Sequence, residues 1–210
     1  MGYTTRELQD KILRLKKEKD AVILAHSYQN PEILEIADRT GDSFMLSVAA
    51  KDIPQKTVIL CGVHFMAETV KILSPEKNVL LAHPGAGCAM ARQVGPEYVR
   101  DFKDKHPGYA AVCYVNTTAA LKTACDVCVT SSSAVQIVER MQEKDILFLP
   151  DCNLGAFVAA SLPQKNILLF DGGCPVHAAV TVEETEAAMA AHPDAKLLVH
   201  PECLPGVSAL

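Results

Sequence analysis

Three polar segments set the frame for any fold of this chain. His26-Ser-Tyr-Gln-Asn30, Tyr114-Val-Asn-Thr-Thr118 and His200-Pro-Glu-Cys-Leu204 stand 88 and 86 residues apart, each behind a helical stretch and a short apolar run. Two further series keep nearly the same step. Gly41-Asp-Ser43 and Thr130-Ser-Ser132 are about 88 apart, and Cys88 and Cys174 are 86 apart. Self-similarity of this length marks a repeated structural unit. Residue identity between the repeats is low, so the spacing carries the reading. Two complete units and the opening of a third fit within 210 residues. Extrapolation puts a third serine-rich loop about seven residues past Leu210 and a third repeat cysteine about 50 residues past it.

The runs between these segments read as strands at Ala21–Ala25, Thr57–Cys61, Asn78–Ala82, Tyr109–Cys113, Asp145–Leu149, Asn166–Phe170 and Lys196–Val199. Most are continuously apolar and bounded by Gly, Pro or His, as parallel strands covered on both faces must be. Helical patterns fall between them, at Thr5–Lys17, Pro31–Arg39, Ala67–Leu73 and Val182–Ala191. Strand–helix alternation predicts an α/β fold with parallel sheets. The expected units are residues 1–93, 94–180 and 181–210, the last an incomplete third unit.

Charge and composition narrow the function classes. The formal net charge is −5 with no basic stripe, which excludes nucleic acid as the main partner. Aromatic residues make up 5% and Trp is absent, so no platform for stacking bases is expected. No apolar run reaches the length of a membrane span. Met1-Gly-Tyr-Thr-Thr-Arg6 leads into no apolar signal region, and Arg6 stands where N-myristoylation needs Ser or Thr. Eight cysteines without a secretory leader predict reduced thiols and a cytoplasmic location.

In open parallel sheets, ligands bind outside the carboxyl ends of the strands, where helix N-termini offer N–H groups to anions. His26, Tyr28, Tyr114, Asn116, Asp151, Asn153, His200 and Glu202 fall at such ends. A single His or Cys there is more often a packing residue. The threefold recurrence of one polar placement favours a site. Cys61, Cys113 and Cys152 read as small core residues. Cys125-Asp-Val-Cys128 falls where a helix feeds a strand and has neither a second C-x-x-C nor a His pair at zinc spacing, so it reads as structural. Gly85-Ala-Gly-Cys88 lacks the Gly-Lys-Ser/Thr of a phosphate-binding loop. Ser131 to Ser133 are expected to cap a helix over Ala134–Met141.

The ordered segments together resemble one family along nearly the whole chain. They are Leu24-Ala-His-Ser-Tyr-Gln29, Ala37-Asp-Arg-Thr-Gly-Asp-Ser43, Met66-Ala-Glu-Thr69, Ile72-Leu-Ser-Pro-Glu-Lys77 and Gly87-Cys-Ala-Met-Ala91. Downstream come Tyr114-Val-Asn-Thr117, Thr130-Ser-Ser132, Pro150-Asp-Cys-Asn-Leu-Gly155, Gly173-Cys-Pro-Val-His177 and His200-Pro-Glu-Cys203. In this order and spacing the set is similar to quinolinate synthase.

That resemblance implies a pseudo-threefold repeat of three-layer αβα units around a [4Fe–4S] cluster held by three cysteines, one per unit. It implies condensation of iminoaspartate with dihydroxyacetone phosphate to give quinolinate in NAD biosynthesis. A functional link to an aspartate oxidase or dehydrogenase that supplies iminoaspartate follows from it. Carried over residue by residue, Cys88 and Cys174 match metal ligands, and Tyr28, Glu202 and His200 match catalytic groups. His26, Ser43, Tyr114, Asn116, Ser131 and His177 match substrate-binding residues. A three-thiolate cluster leaves one iron open as a Lewis acid for dehydration.

The departures are specific. The family's third ligand and its Gly-Ser-Thr-Ser loop have no counterpart here, and Cys203 belongs to the His-Pro-Glu-Cys motif rather than to the ligand set. His83 stands where an acidic residue is common and Phe170 where Trp is frequent. The alternative reading is a catalytically inactive fragment or remnant that binds a small dicarboxylate. A third is a dimer that recruits Cys203 as a substitute ligand.

Overall fold

The computed structural model describes residues 2–210. The chain divides into two compact units, the first ending at Cys88 and the second spanning Ala89–Leu210. The first runs α1 (Thr5–Glu18), β1 (Ala21–His26), α2 (Pro31–Leu34), β2 (Arg39–Gly41), α3 (Ser43–Asp52), β3 (Thr57–Cys61), α4 (His64–Leu73) and β4 (Asn78–Leu81). Its four strands form one sheet in the order β2-β1-β3-β4, and every pairing is parallel. β1 is buried along Ala21–Ala25, as a central strand covered on both faces requires.

The second unit repeats that plan. After a 3₁₀ turn at Met90–Arg92 come α5 (Pro96–Lys105), β5 (Ala110–Tyr114), α6 (Ala119–Lys122), β6 (Val127–Val129), α7 (Ala134–Arg140), β7 (Asp145–Leu149), α8 (Cys152–Ser161) and β8 (Asn166–Leu169). The sheet order β6-β5-β7-β8 is again all parallel. The core on one side of this sheet joins Val99 of α5 and Leu121 of α6 to Ala111, Cys113, Leu147 and Leu149 of the strands. α9 (Pro175–Ala178), α10 (Val182–Ala191) and α11 (Pro205–Ser208) complete the chain.

The 88-residue step is visible in individual bonds. Lys77 Nζ donates to the carbonyls of Ile53 and Gln55 at 2.5 and 3.0 Å, and Lys165 Nζ does the same to Met141 and Glu143 at 2.5 and 2.8 Å. Each lysine ties the turn before the third strand (β3 or β7) to the start of the fourth. Asp38 accepts from the Ile23 N–H at 2.8 Å and pairs with Lys16; Asp126 accepts from the Ala111 N–H at 2.7 Å and pairs with Lys103. The capping box of Thr4 and Glu7 on α1 returns as Thr181 and Glu184 on α10. The α/β repeat with parallel sheets is therefore present in the two units.

Four sequence expectations change. β2 and β6 were not expected; each has three residues, too short to show a period. The helix expected over Pro31–Arg39 ends at Leu34, and β2 begins at Arg39. Lys196–Val199 is not a strand. A strand needs a neighbour to bond with, and among the described residues none pairs with this segment; Leu198 is 91% exposed. Cys152 is not a strand core residue but the half-buried first residue of α8.

Candidate functional site

In the second unit the carboxyl ends of the strands converge on one acid. Glu202 is 2% exposed although it lies in an irregular segment. Its backbone is held at both ends: its N–H donates to His200 Nδ1 at 3.3 Å, and its carbonyl accepts from Asn153 Nδ2 at 3.1 Å. A buried carboxylate needs partners. His177 Nδ1 lies 3.0 Å from one carboxylate oxygen and His200 Nδ1 3.9 Å from the other. The two imidazoles are 5.0 Å apart between ring centres.

His200 is placed by both its nitrogens. Because Nδ1 accepts from the Glu202 N–H, a neutral ring carries its proton on Nε2, which lies 3.2 Å from the Ser131 hydroxyl. Burial pushes the His200 imidazole below its ordinary value; the Glu202 carboxylate opposes that shift and His177 adds to it. Tyr114, at the end of β5, is 5% exposed. Its phenol reaches both Glu202 and Ser131, and burial, reinforced by the Glu202 charge, raises its ionisation well above the usual tyrosine value. His200, Ser131, Tyr114 and Glu202 thus form, in that order, an open chain of groups able to pass protons.

Cys174 follows β8 and is half-buried. Its N–H donates to Asp151 Oδ2 at 3.0 Å, while Asp151 Oδ1 caps α8 through the Leu154 N–H at 2.8 Å. Asp151 is fully buried; burial raises its carboxyl above the usual value, and the N–H of Leu154 is the first group to pull it back. The preceding Gly173 is clamped from both sides by Gln93, whose Nε2 donates to its carbonyl at 3.0 Å and whose Oε1 accepts from its N–H at 2.9 Å. Gly172 has no room for a side chain there, because an added Cβ would stand 2.7 Å from the Pro150 carbonyl oxygen.

The structure therefore brings Tyr114, Ser131, Cys174, His177, His200 and Glu202 together. Asn116, half-buried in the turn after β5, lies at the same end of the sheet. Ser131 to Ser133 do not cap α7 with their side chains. Ser133 is the N-cap residue without a side-chain bond to the helix, and its hydroxyl pairs with Thr130 at 2.8 Å. Sequence reasoning missed Gln93, which no motif announces, and the holding role of Asp151, whose Asp-x-x-Leu cap pattern was its available signal.

In the first unit the corresponding end carries His26, Tyr28, Ser43 and Cys88. His26 closes β1, and its Nδ1 accepts from the Tyr28 N–H at 3.1 Å, the same turn as His200 and Glu202 make. The two rings meet edge-on at 4.6 Å, and the Tyr28 side chain stands 80% exposed. Burial lowers the His26 imidazole against the pull of Asp42. Ser43 opens α3 behind the Asp42 cap, and Cys88 is half-buried in the loop after β4. No cysteine pair forms a disulfide among the described residues, and Cys203 is buried at 7% exposure. Among the described residues no helix is long and apolar enough to cross a membrane.

Comparison with known proteins gives one consistent match. A family model described as quinolinate synthetase A protein covers residues 10–210. The chain is 49% identical over 203 residues to a quinolinate synthase of Caldicellulosiruptor bescii, covering 97% of this chain and 67% of that protein. It is 50% identical over 198 residues to the quinolinate synthase of Clostridioides difficile, covering 94% and 65%. With the quinolinate synthase of Aquifex aeolicus it shares 46% over 205 residues, covering 98% and 64%. The chain spans about two thirds of the length of these curated relatives.

Proposed function

This chain belongs to the quinolinate synthetase A family, and from that premise we propose that it supplies the first two units of a quinolinate synthase, together with the acid–base groups that precede the third. The reaction is condensation of iminoaspartate with dihydroxyacetone phosphate, with loss of phosphate and water, in NAD biosynthesis. The observation that carries the reading is the buried Glu202 carboxylate, flanked by His177 and His200 and reached by Tyr114.

Each proton in such a condensation needs a positioned donor or acceptor. Glu202, buried beside two imidazoles, is placed to take a proton from a carbon beside a carbonyl. The chain His200 Nε2, Ser131 Oγ and Tyr114 Oη can return a proton to a leaving hydroxyl without admitting bulk water. His177 holds a substrate carboxylate beside Glu202. Tyr28, His26, Ser43 and Asn116 take the remaining carboxylate, hydroxyl and phosphate oxygens, with Tyr28 as the exposed acid–base partner of the first unit.

The donors present fit an iron–sulfur cluster. Cys88 and Cys174 occupy matching places after β4 and β8, both are half-buried, and the loop carrying Cys174 is pinned through Gln93 and Asp151. These two thiolates would hold it, and the repeat calls for a third in the part of the relatives' length that this chain does not span. When bound, the cluster supplies a Lewis-acidic iron to the substrate oxygen. A supply of iminoaspartate from an aspartate-oxidising enzyme and a reducing, cytoplasmic setting complete the reading.

The test compares the protein carrying this sequence with its Glu202→Gln variant after anaerobic reconstitution with iron and sulfide. Equal iron content with quinolinate formed by wild type alone supports the assignment. Equal turnover by both would remove Glu202 from the chemistry.

A further inference from the structure

We infer that Cys174, His177 and Glu202 form a mononuclear site for a borderline-soft divalent cation of the Zn²⁺ class, available whenever Cys174 carries no cluster. The inference stands on side-chain geometry and does not rest on the proposed reaction. One donor atom from each residue, a sulfur, an imidazole nitrogen and a carboxylate oxygen, lies within 4.8 Å of the other two. Around a bound Zn²⁺, with bonds of about 2.0 to 2.3 Å, such donors stand roughly 3.3 to 3.8 Å apart. Closing that gap takes shifts of about 1 Å in the donor atoms.

Two observations point to an ion. His177 Nδ1 is buried and has no hydrogen-bond partner among the described residues, although Glu202 Oε2 is 3.0 Å away. The contact is close but off the line a hydrogen bond requires, which suits two groups facing a common third atom. Second, the ligands' supports are already in place. Asp151 holds the Cys174 N–H, Gln93 holds Gly173, and Asn153 and His200 hold the Glu202 backbone. Outer contacts of this kind fix ligand orientation and raise metal affinity.

The donor set selects the ion. Thiolate, imidazole and carboxylate suit Zn²⁺, Co²⁺ and Fe²⁺, whereas Mg²⁺ and Ca²⁺ take oxygen ligands. Three protein ligands leave a fourth position for water, the arrangement of catalytic rather than structural zinc sites. Binding replaces the Cys174 thiol proton, which leaves to solvent as the sulfur–metal bond forms, with no change in oxidation state. A chain loaded in this way cannot offer Cys174 to a cluster, so Zn²⁺ competes with cluster assembly.

The experiment is an anaerobic titration of the metal-free chain with Co²⁺, in a reductant that does not chelate metals. One equivalent is expected to give a sulfur-to-cobalt charge-transfer band in the near ultraviolet and intense visible bands of four-coordinate cobalt, both erased by Zn²⁺. Cys174→Ser should abolish the charge-transfer band, and His177→Ala should weaken binding by at least about tenfold. Far-UV circular dichroism of each variant confirms that it is folded. Cys88→Ser and a combined Cys113→Ser, Cys125→Ser, Cys128→Ser protein should keep the band; the combined variant controls for the thiols that cluster around Cys113. No band in wild type, a band that survives in folded Cys174→Ser, or its loss in either control overturns the inference. No cluster or substrate is involved, so failure here leaves the proposed reaction untouched, and failure of that reaction leaves this site untouched.

Discussion

Raising the pH above 9 loads one buried thiol of the second unit. Cys113 lies on β5 with no exposed surface, in register with Cys128 of β6. Its hydrogen bond with the Cys125 sulfur, supported by burial, pushes the Cys113 thiol from 9.0 up to about 12, against the opposing effects of Cys128 and Lys122. Three decades of acidity correspond to about 4 kcal/mol between thiol and thiolate in the fold. Between pH 9 and 12 the folded chain keeps a proton that the unfolded chain has lost. The stabilisation is therefore complete below pH 9 and declines as pH rises, by about 1.4 kcal/mol per pH unit at most. Cys113→Ala should be less stable than wild type at pH 8 by about 1 to 3 kcal/mol, for the lost packing. Its stability should then fall less steeply, narrowing the gap by about 2 to 3 kcal/mol at pH 11. Tyr114 is also raised by burial but titrates in both proteins and cancels in the difference. The Cys128 thiol, held up first by its hydrogen bond with Cys113, loses that cause in Cys113→Ala and adds to the narrowing. Urea unfolding followed by far-UV circular dichroism, under reductant at pH 8, 9, 10 and 11, reads the gap directly. Parallel stability curves for the two proteins would refute the reasoning.

Other consequences can be checked with single substitutions. Lys77→Met leaves the Ile53 and Gln55 carbonyls without their donor and should lower stability by about 2 to 3 kcal/mol in urea titrations; Lys165→Met, more exposed, should cost about 1 to 2. Losses under half of these values would mean water replaces the ammonium. Glu202→Gln should reduce kcat of the reconstituted enzyme by about 100-fold or more while iron content holds, and an unchanged kcat would count against its acid–base role. Gln93→Ala removes both bonds to Gly173 and should speed loss of iron from the reconstituted protein by about tenfold, followed as decay of visible absorbance; decay at the wild-type rate would make the clamp dispensable.

The parts legible in the sequence were those with a period or a motif. β3, β7 and α10 fall where apolar runs and cap residues put them, because each is long enough for its pattern to exclude alternatives. β2 and β6 are legible only through their partners: Arg39-Thr-Gly41 carries no strand pattern and becomes a strand by bonding along Leu24–His26. Lys196–Val199 shows the converse, a strand-like run that stays irregular without a ladder partner. Within the site, Tyr114, His200 and Glu202 are legible from their strand-end positions, and Ser131 and His177 through the family resemblance. Gln93 and Asp151 act on backbone N–H and C=O groups, and nothing in their side chains signals which loop they hold. The Lys77 and Lys165 ties were invisible for the same reason, although their 88-residue spacing matches the repeat.

The central claim is that this chain contributes the cluster-bearing, acid–base half of a quinolinate-forming site. Its most direct test is quinolinate formation from iminoaspartate and dihydroxyacetone phosphate by the protein carrying this sequence, reconstituted anaerobically and assayed for iron, sulfide and product together. The account predicts quinolinate from wild type, and neither product nor stable cluster from Cys174→Ala. A wild-type protein holding about four irons per chain that makes no quinolinate would contradict it.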